Sequence, residues 1–318
     1  MFDILEVTAP FFALILCGYL AARLRLLPEK SVPALNTFVL YFALPCMLFR
    51  FSAQAPFGEL VNLPVFLAYM TAGLAMLGVF SLLARFAVGE SARDSVYGGL
   101  AAAWSNWGYM GFALLPAVLG PAVLPIVVAA GMADLLVVVS ATLALDSLAH
   151  RRSAGAPGAI AGALARVARN PLVWAIVAGG AFSAADLALP RVPGQLARLL
   201  GDAAVPVALF TIGVSLYRPG TRWEWTEVLV IAGAKLLVHP LLVALVAAQL
   251  FRLAPLEIAT LTLSAALPVA GTVFLFAERA GANGERIAAA ILVSTACAFF
   301  SFSALGWLLG AWAAAPIK

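Results

Sequence analysis

Charge is scarce in this 318-residue chain: Asp, Glu, Lys and Arg make up 11% of it, against 64% apolar residues. Soluble domains run nearer a quarter charged and half apolar. An ordinary water-facing surface is therefore excluded, and the solvent of this chain is lipid. Histidine is almost missing, with only His150 and His239. The three cysteines, Cys17, Cys46 and Cys297, fall in apolar stretches without paired spacing, so neither a disulfide framework nor a metal knuckle is indicated. No HExxH, GxSxG, Walker A or suitably placed GxGxxG occurs. Asp134 is the only acid deep in an apolar stretch, which leaves an intramembrane aspartyl protease without its second carboxylate. No enzyme, cofactor or metal is expected. The basic residues are spread among loops, which argues against nucleic acid as a partner.

What the chain does have is long apolar runs, with a mean hydropathy of +1.04. Ala and Leu dominate and strand-like alternation is rare, so helices are expected rather than a barrel. Polar breaks leave ten candidate spans at 5–24, 33–53, 63–87, 95–119, 121–148, 170–187, 195–217, 226–250, 256–278 and 285–312. Met1–Pro10 carries Asp3 and Glu6 but no basic residue, unlike a signal peptide, so the first run is expected to stay as a span. The longest polar stretch, His150–Asn170, holds Arg151, Arg152, Arg166 and Arg169 and reads as a loop joining two halves. The expected organisation is an all-α polytopic membrane protein with a first five-helix repeat at 1–149, a loop at 150–169 and a second repeat at 170–318. With both termini outside, thirteen loop Lys and Arg residues lie inside and five outside. That bias predicts a bacterial inner-membrane protein with periplasmic termini and a cytoplasmic central loop.

The halves resemble each other. Pro10 and Pro171, Gly18 and Gly179, and Pro45 and Pro206 are all 161 residues apart. Pro45 and Pro206 each sit inside a second helix and are expected to bend it. Five spans per half is an odd number, so the second half enters the membrane inverted. Inverted repeats with midplane sites are a recurring plan of secondary transporters.

The fourth and ninth spans are the most informative. The fourth contains Ser105-Asn106-Trp107-Gly108-Tyr109-Met110-Gly111, and the ninth Ala266-Leu267-Pro268-Val269-Ala270-Gly271-Thr272. Proline removes a backbone donor and glycine weakens a helix. Breaks in corresponding spans point to discontinuous helices around a site, where unpaired N–H groups and a positive helix end suit a carboxylate. Asn106, Gly108, Gly111, Pro268, Gly271 and Thr272 are the candidate substrate-binding residues. Ordinary kinks and close packing are the alternative.

Lys235 is the only Lys or Arg deep in a span. Such a residue faces a cavity or a partner. His239 follows one turn later on the same face, and Asp134 offers a pairing carboxylate across the repeat. These three form a coupling site or a structural ion pair, or Lys235 instead bonds to freed backbone carbonyls.

The chain resembles the auxin efflux carrier family of bacterial permeases, which includes malonate carriers. The resemblance runs through Pro10 to Gly18, the Leu27-Pro28 exit, Asn36, Tyr41-Phe42-Ala43-Leu44-Pro45, Ser105 to Gly111, Lys235 to Pro240, and Ala266 to Ala270. It implies ten helices in two inverted repeats and a crossover of helices four and nine. It also implies a scaffold, often dimeric, beside a domain that moves by an elevator mechanism, with Asn106 and Pro268 at the crossover asparagine and proline. This sequence departs from plant members in having Thr272 but no asparagine beside Pro268, and no charge in 63–84. The expected activity is secondary transport of a small organic anion, with protons as the coupling ion this reading allows. The alternatives are a sodium-coupled symporter of bile-acid type and a membrane sensor that binds without transporting.

Overall fold

The computed structural model describes residues 2–28, 31–54, 62–148, 171–187, 189–217 and 225–313. The joining loop expected at 150–169 lies outside them. Among the described residues the regular elements are all helices, and one isolated bridge pairs Ser105 with Val269.

Among the described residues seven helices are long and apolar enough to cross a bilayer: 4–23, 31–54, 63–88, 121–141, 191–216, 225–250 and 284–309. They correspond to seven of the ten expected spans. The fourth and ninth expected spans are each broken into shorter helices, and the sixth is described as a 14-residue helix, Pro171–Ala184. In chain order we label α1 Phe2–Arg23, α2 Ser31–Phe38, α3 Leu44–Gln54, α4 Leu63–Leu83, α5 Ala92–Ala103, α6 Phe112–Leu119, α7 Leu124–Leu148 and α8 Pro171–Ala184. Then follow α9 Arg191–Asp202, α10 Ala204–Leu216, α11 Trp225–Gly233, α12 His239–Leu245, α13 Pro255–Ala265, α14 Thr272–Ala280 and α15 Gly284–Ala313.

Large apolar side chains face outward, as lipid contact requires: Phe86, Val192 and Phe300 are all exposed. The interior is instead rich in small residues, including Ala68, Ala72, Ala101, Ala102, Ala103, Ala130 and Ala133. Small residues let helices approach closely where lipid removes the hydrophobic drive for association.

Proline shapes several helices. Pro10 lies within α1, which begins earlier, at Phe2. A π turn, Val39–Ala43, joins α2 to α3, and the Leu44 N–H reaches back to the Val39 carbonyl just before Pro45. The same device precedes Pro240: the π turn Ala234–Val238 ends with the His239 N–H bonded to the Ala234 carbonyl. A widened turn relieves the clash between a proline ring and the preceding turn. Pro206 falls in the first turn of α10, where proline is tolerated, just after the chain turns from α9 at Ala203.

Glycines bring backbones into contact at several helix crossings. Gly18 of α1 lies against the Phe210 carbonyl of α10, and Gly179 of α8 lies 2.5 Å, as measured from an added Cβ, from the Phe49 carbonyl of α3. A side chain has no space at either glycine. Gly18→Leu is therefore expected to destabilise the protein by about 3 kcal/mol or to prevent folding. The check is the thermal unfolding midpoint in detergent, with Gly78→Leu as the control, at a half-buried glycine where an added Cβ meets nothing within 4 Å.

Two helix ends share a less common geometry. After α1, the Arg25 N–H bonds to the Ala22 carbonyl and the Leu26 N–H to the Ala21 carbonyl. After α8, Asp186 bonds to Ser183 and Leu187 to Phe182 in the same pattern. Arg25 and Asp186 have φ of 57° and 51°, the left-handed position that usually holds glycine. A side chain there costs about 1 kcal/mol.

At one end of the bundle, buried Arg286 of α15 pairs with Glu90 at 2.8 Å and Glu227 at 2.7 Å, and donates to the Asp94 carbonyl at 2.8 Å. This network ties the starts of α5, α11 and α15 together.

Candidate functional site: the crossing of two broken helices

α5 starts at a Ser91 cap, whose hydroxyl accepts from the Asp94 N–H, and stops at Ala103. Trp104 is extended, and helix resumes as a π turn, Trp107–Gly111, that leads into α6. The second break separates α13, ending at Ala265, from α14, starting at Thr272. The two interruptions cross. The Asn106 N–H donates to the Pro268 carbonyl at 3.0 Å, and the Ala270 N–H to the Trp104 carbonyl at 3.2 Å. Each broken segment thus satisfies backbone groups that the other leaves open, as a polar backbone in an apolar interior requires. Four helix ends meet here: the C-termini of α5 and α13, and the N-termini of the Trp107 turn and α14.

Lys235 occupies the C-terminal side. It is fully buried, and its three ammonium protons have three partners. They are the Ser105 Oγ at 2.6 Å, the Ala265 carbonyl at 2.8 Å and the His239 Nδ1 at 2.9 Å. Ala265 is the last residue of α13, so the ammonium lies at the negative end of a helix dipole. The bond to Lys235 makes His239 Nδ1 an acceptor and places the ring proton on Nε2. The Tyr69 hydroxyl joins the Ser105 hydroxyl at 2.9 Å, and the Ser105 N–H donates to the Asp134 carboxylate at 3.3 Å. Lys235 and Asp134 thus meet through Ser105 rather than in a direct ion pair. Asp134 Oδ1 and His239 Nε2 are buried with no hydrogen-bond partner.

The N-terminal side opens differently. A cavity of about 810 Å³ lies between α1, α2 and α10 on one wall and α14 and α15 on the other. Its polar lining comes from Arg25, Asn36, Tyr109, Ser215, Tyr217 and Thr272, with Gly271 at the start of α14. The Tyr109 hydroxyl reaches toward the Asn36 carboxamide at 3.5 Å, a long contact. A Cβ added at Gly271 or at Gly108 would meet nothing within 4 Å, so neither glycine serves close packing.

The residues expected to form a site therefore separate into three places. Gly271 and Thr272 line the cavity. Asn106 and Pro268 meet at the crossing, with Gly108 and Gly111 in the turn that follows; Asn106 is buried, and its side chain does not cap that turn. Lys235, His239 and Asp134 form a separate buried cluster. Pro45 and Pro206 touch neither. Sequence reasoning missed Ser105 and Tyr69, the hubs of the cluster, because a serine and a tyrosine in an apolar span read as packing residues. It also missed Arg25 as a cavity residue, since its charge read as a loop signal of orientation.

The family model for membrane transport proteins matches residues 3–153 and 160–306. The chain belongs to this family. It is the auxin efflux carrier family that the motifs resemble, and the chain is a multi-pass membrane protein of it. It is 31% identical to a "Putative malonate transporter" of Rhizobium meliloti, over 97% of both chains. It is 26% identical to an "Uncharacterized transporter" of Methanothermobacter thermautotrophicus, over 91% of this chain and 93% of that one. It is also 26% identical to the "Uncharacterized transporter YfdV" of Escherichia coli K12, over 85% and 86%.

Proposed function

We propose that this family member is a secondary carrier of small organic anions, carboxylates in particular, with ten spans in two inverted five-helix repeats. The observation that carries the reading is the cavity at the crossing, into which the N-terminal end of α14 opens beside Arg25, Asn36, Tyr109 and Thr272. Helix N-termini present free N–H groups and a positive dipole end to an anion. The malonate assignment of one relative agrees with that chemistry. The repeat reading is supported by contact pairs with the sequence offset: Gly18 on Phe210 matches Gly179 on Phe49, each residue displaced by 161.

The cavity lies between helices proposed as scaffold (α1, α2, α10) and helices proposed as the moving domain (α14, α15). Movement of one against the other would carry the crossing across the membrane, an elevator. On the Lys/Arg orientation, with the termini periplasmic, Arg25 marks the cytoplasmic side and the cavity is open inward. Lys235 places its amine at the helix C-termini, where a sodium-coupled carrier would need a bound ion. That favours a sodium-independent cycle over the symporter alternative.

Asn106→Ala is expected to lower carboxylate uptake by about tenfold or more, because a carboxamide at the crossing is a ready ligand group. Its unfolding midpoint should stay near wild type. Uptake at the wild-type rate, with equal protein in the vesicles, would remove Asn106 from the site.

A further inference from the structure

Arg25 stands in a backbone position that favours glycine, yet it lines the cavity. Residues held in a disfavoured conformation persist where the surrounding structure or a function requires their side chain. The related position after α8 carries Asp186 in the same turn, 161 residues later. The turn itself therefore does not call for arginine. Among the described residues no carboxylate pairs with Arg25, whereas Arg50 and Arg286 both have carboxylate partners. Among the described residues Arg25 is also the only Lys, Arg, His, Asp or Glu in the lining of this cavity. It follows the end of α1, whereas Thr272 and the α14 N-terminus line the cavity from the other group of helices. An anion with one charge is served by one wall; a short molecule with two charges is served by both.

We propose that Arg25 is the cavity's second anion receptor and sets its preference for short dicarboxylates over monocarboxylates. This rests on the organic-anion reading above and goes further, since it names a residue and a substrate class. The guanidinium offers two parallel donors that match a carboxylate, a geometry a lysine ammonium lacks. A dicarboxylate held by Arg25 and by α14 would bridge the two walls. A monocarboxylate would engage only one.

The test measures equilibrium binding of malonate and of monomethyl malonate, the same skeleton with one charge, to the purified full-length protein. Wild type should prefer malonate by about tenfold or more. Arg25→Gln and Arg25→Gly should lose about tenfold in malonate affinity, with a much smaller change for the monoester, and Arg25→Lys should retain part of the preference. The glycine variant separates this from misfolding, because glycine relaxes the left-handed turn and its unfolding midpoint should equal or exceed wild type. If wild type binds both ligands equally, or if the glycine and glutamine variants keep the malonate preference, the proposal is overturned and the anion-carrier reading survives. If wild type binds neither ligand, the proposal falls, and uptake of other short carboxylates decides the anion-carrier reading.

Discussion

A Lys235→Met variant is expected to lose transport and about 3–5 kcal/mol of stability. The reason is the completeness of its surroundings. The ammonium is fully buried and donates to a serine hydroxyl, a helix-terminal carbonyl and a histidine nitrogen, all within 2.9 Å. Methionine fills similar volume but leaves those acceptors unpaired and the nearby Asp134 carboxylate without a compensating charge. Removing one partner of a buried polar network costs more than the network's net contribution, because the remaining groups stay buried. Lys235→Arg should fail as well, since a planar five-donor group does not fit a closed three-acceptor pocket. Adding Asp134→Asn to Lys235→Met should recover part of the loss, by removing the stranded charge. Thermal unfolding of the four proteins in detergent is the measurement. A Lys235→Met midpoint equal to wild type would mean that the cluster does not hold the crossing together.

Gly271→Leu is expected to act in the opposite way, leaving the fold intact and removing function. Gly271 has a helical φ of −58°, so a side chain introduces no backbone strain, and an added Cβ meets nothing within 4 Å. Stability should stay within about 0.5 kcal/mol of wild type. The leucine would project where a carboxylate approaches the first N–H groups of α14. Losing hydrogen bonds to a charged group should weaken carboxylate binding by about 10- to 100-fold. Gly271→Ala should fall between the two. Malonate titrations on the three proteins, each paired with its unfolding midpoint, separate a blocked site from a damaged fold. Unchanged affinity in a well-folded leucine variant would place the ligand elsewhere.

The two breaks were legible in the sequence because proline and glycine disturb helices wherever they stand. Pro268 sits among apolar residues, and Gly108 and Gly111 flank a Tyr-Met pair, so the periodic signal fails there. Lys235 with His239 was legible too, since a cation in a hydrocarbon span demands partners and one helical turn supplies a neighbour. The third partner was not. Ser105 is 130 residues from Lys235 in the chain, and nothing local says that its hydroxyl rather than Asp134 receives the ammonium. The cavity was hidden for a similar reason. Its lining comes from the end of α1, the start of α2, the end of α10 and the start of α14, short pieces whose convergence is a property of packing. Arg25 in particular carries the same one-letter signal as the loop arginines that orient the chain in the membrane. Only its place in the cavity wall sets it apart. The π turns before Pro45 and Pro240 belong to the same class: the prolines predict a disturbance, but whether it becomes a kink or a widened turn depends on the neighbouring helices.

We propose that this chain moves a carboxylate across the membrane through the cavity at the crossing. Uptake of radiolabelled malonate into proteoliposomes, in sodium-free buffer, tests it most directly. The account predicts saturable uptake by wild-type protein, unchanged on adding sodium and nearly abolished by Gly271→Leu. Uptake no greater than in protein-free vesicles, for malonate and for a panel of other short carboxylates alike, would contradict it.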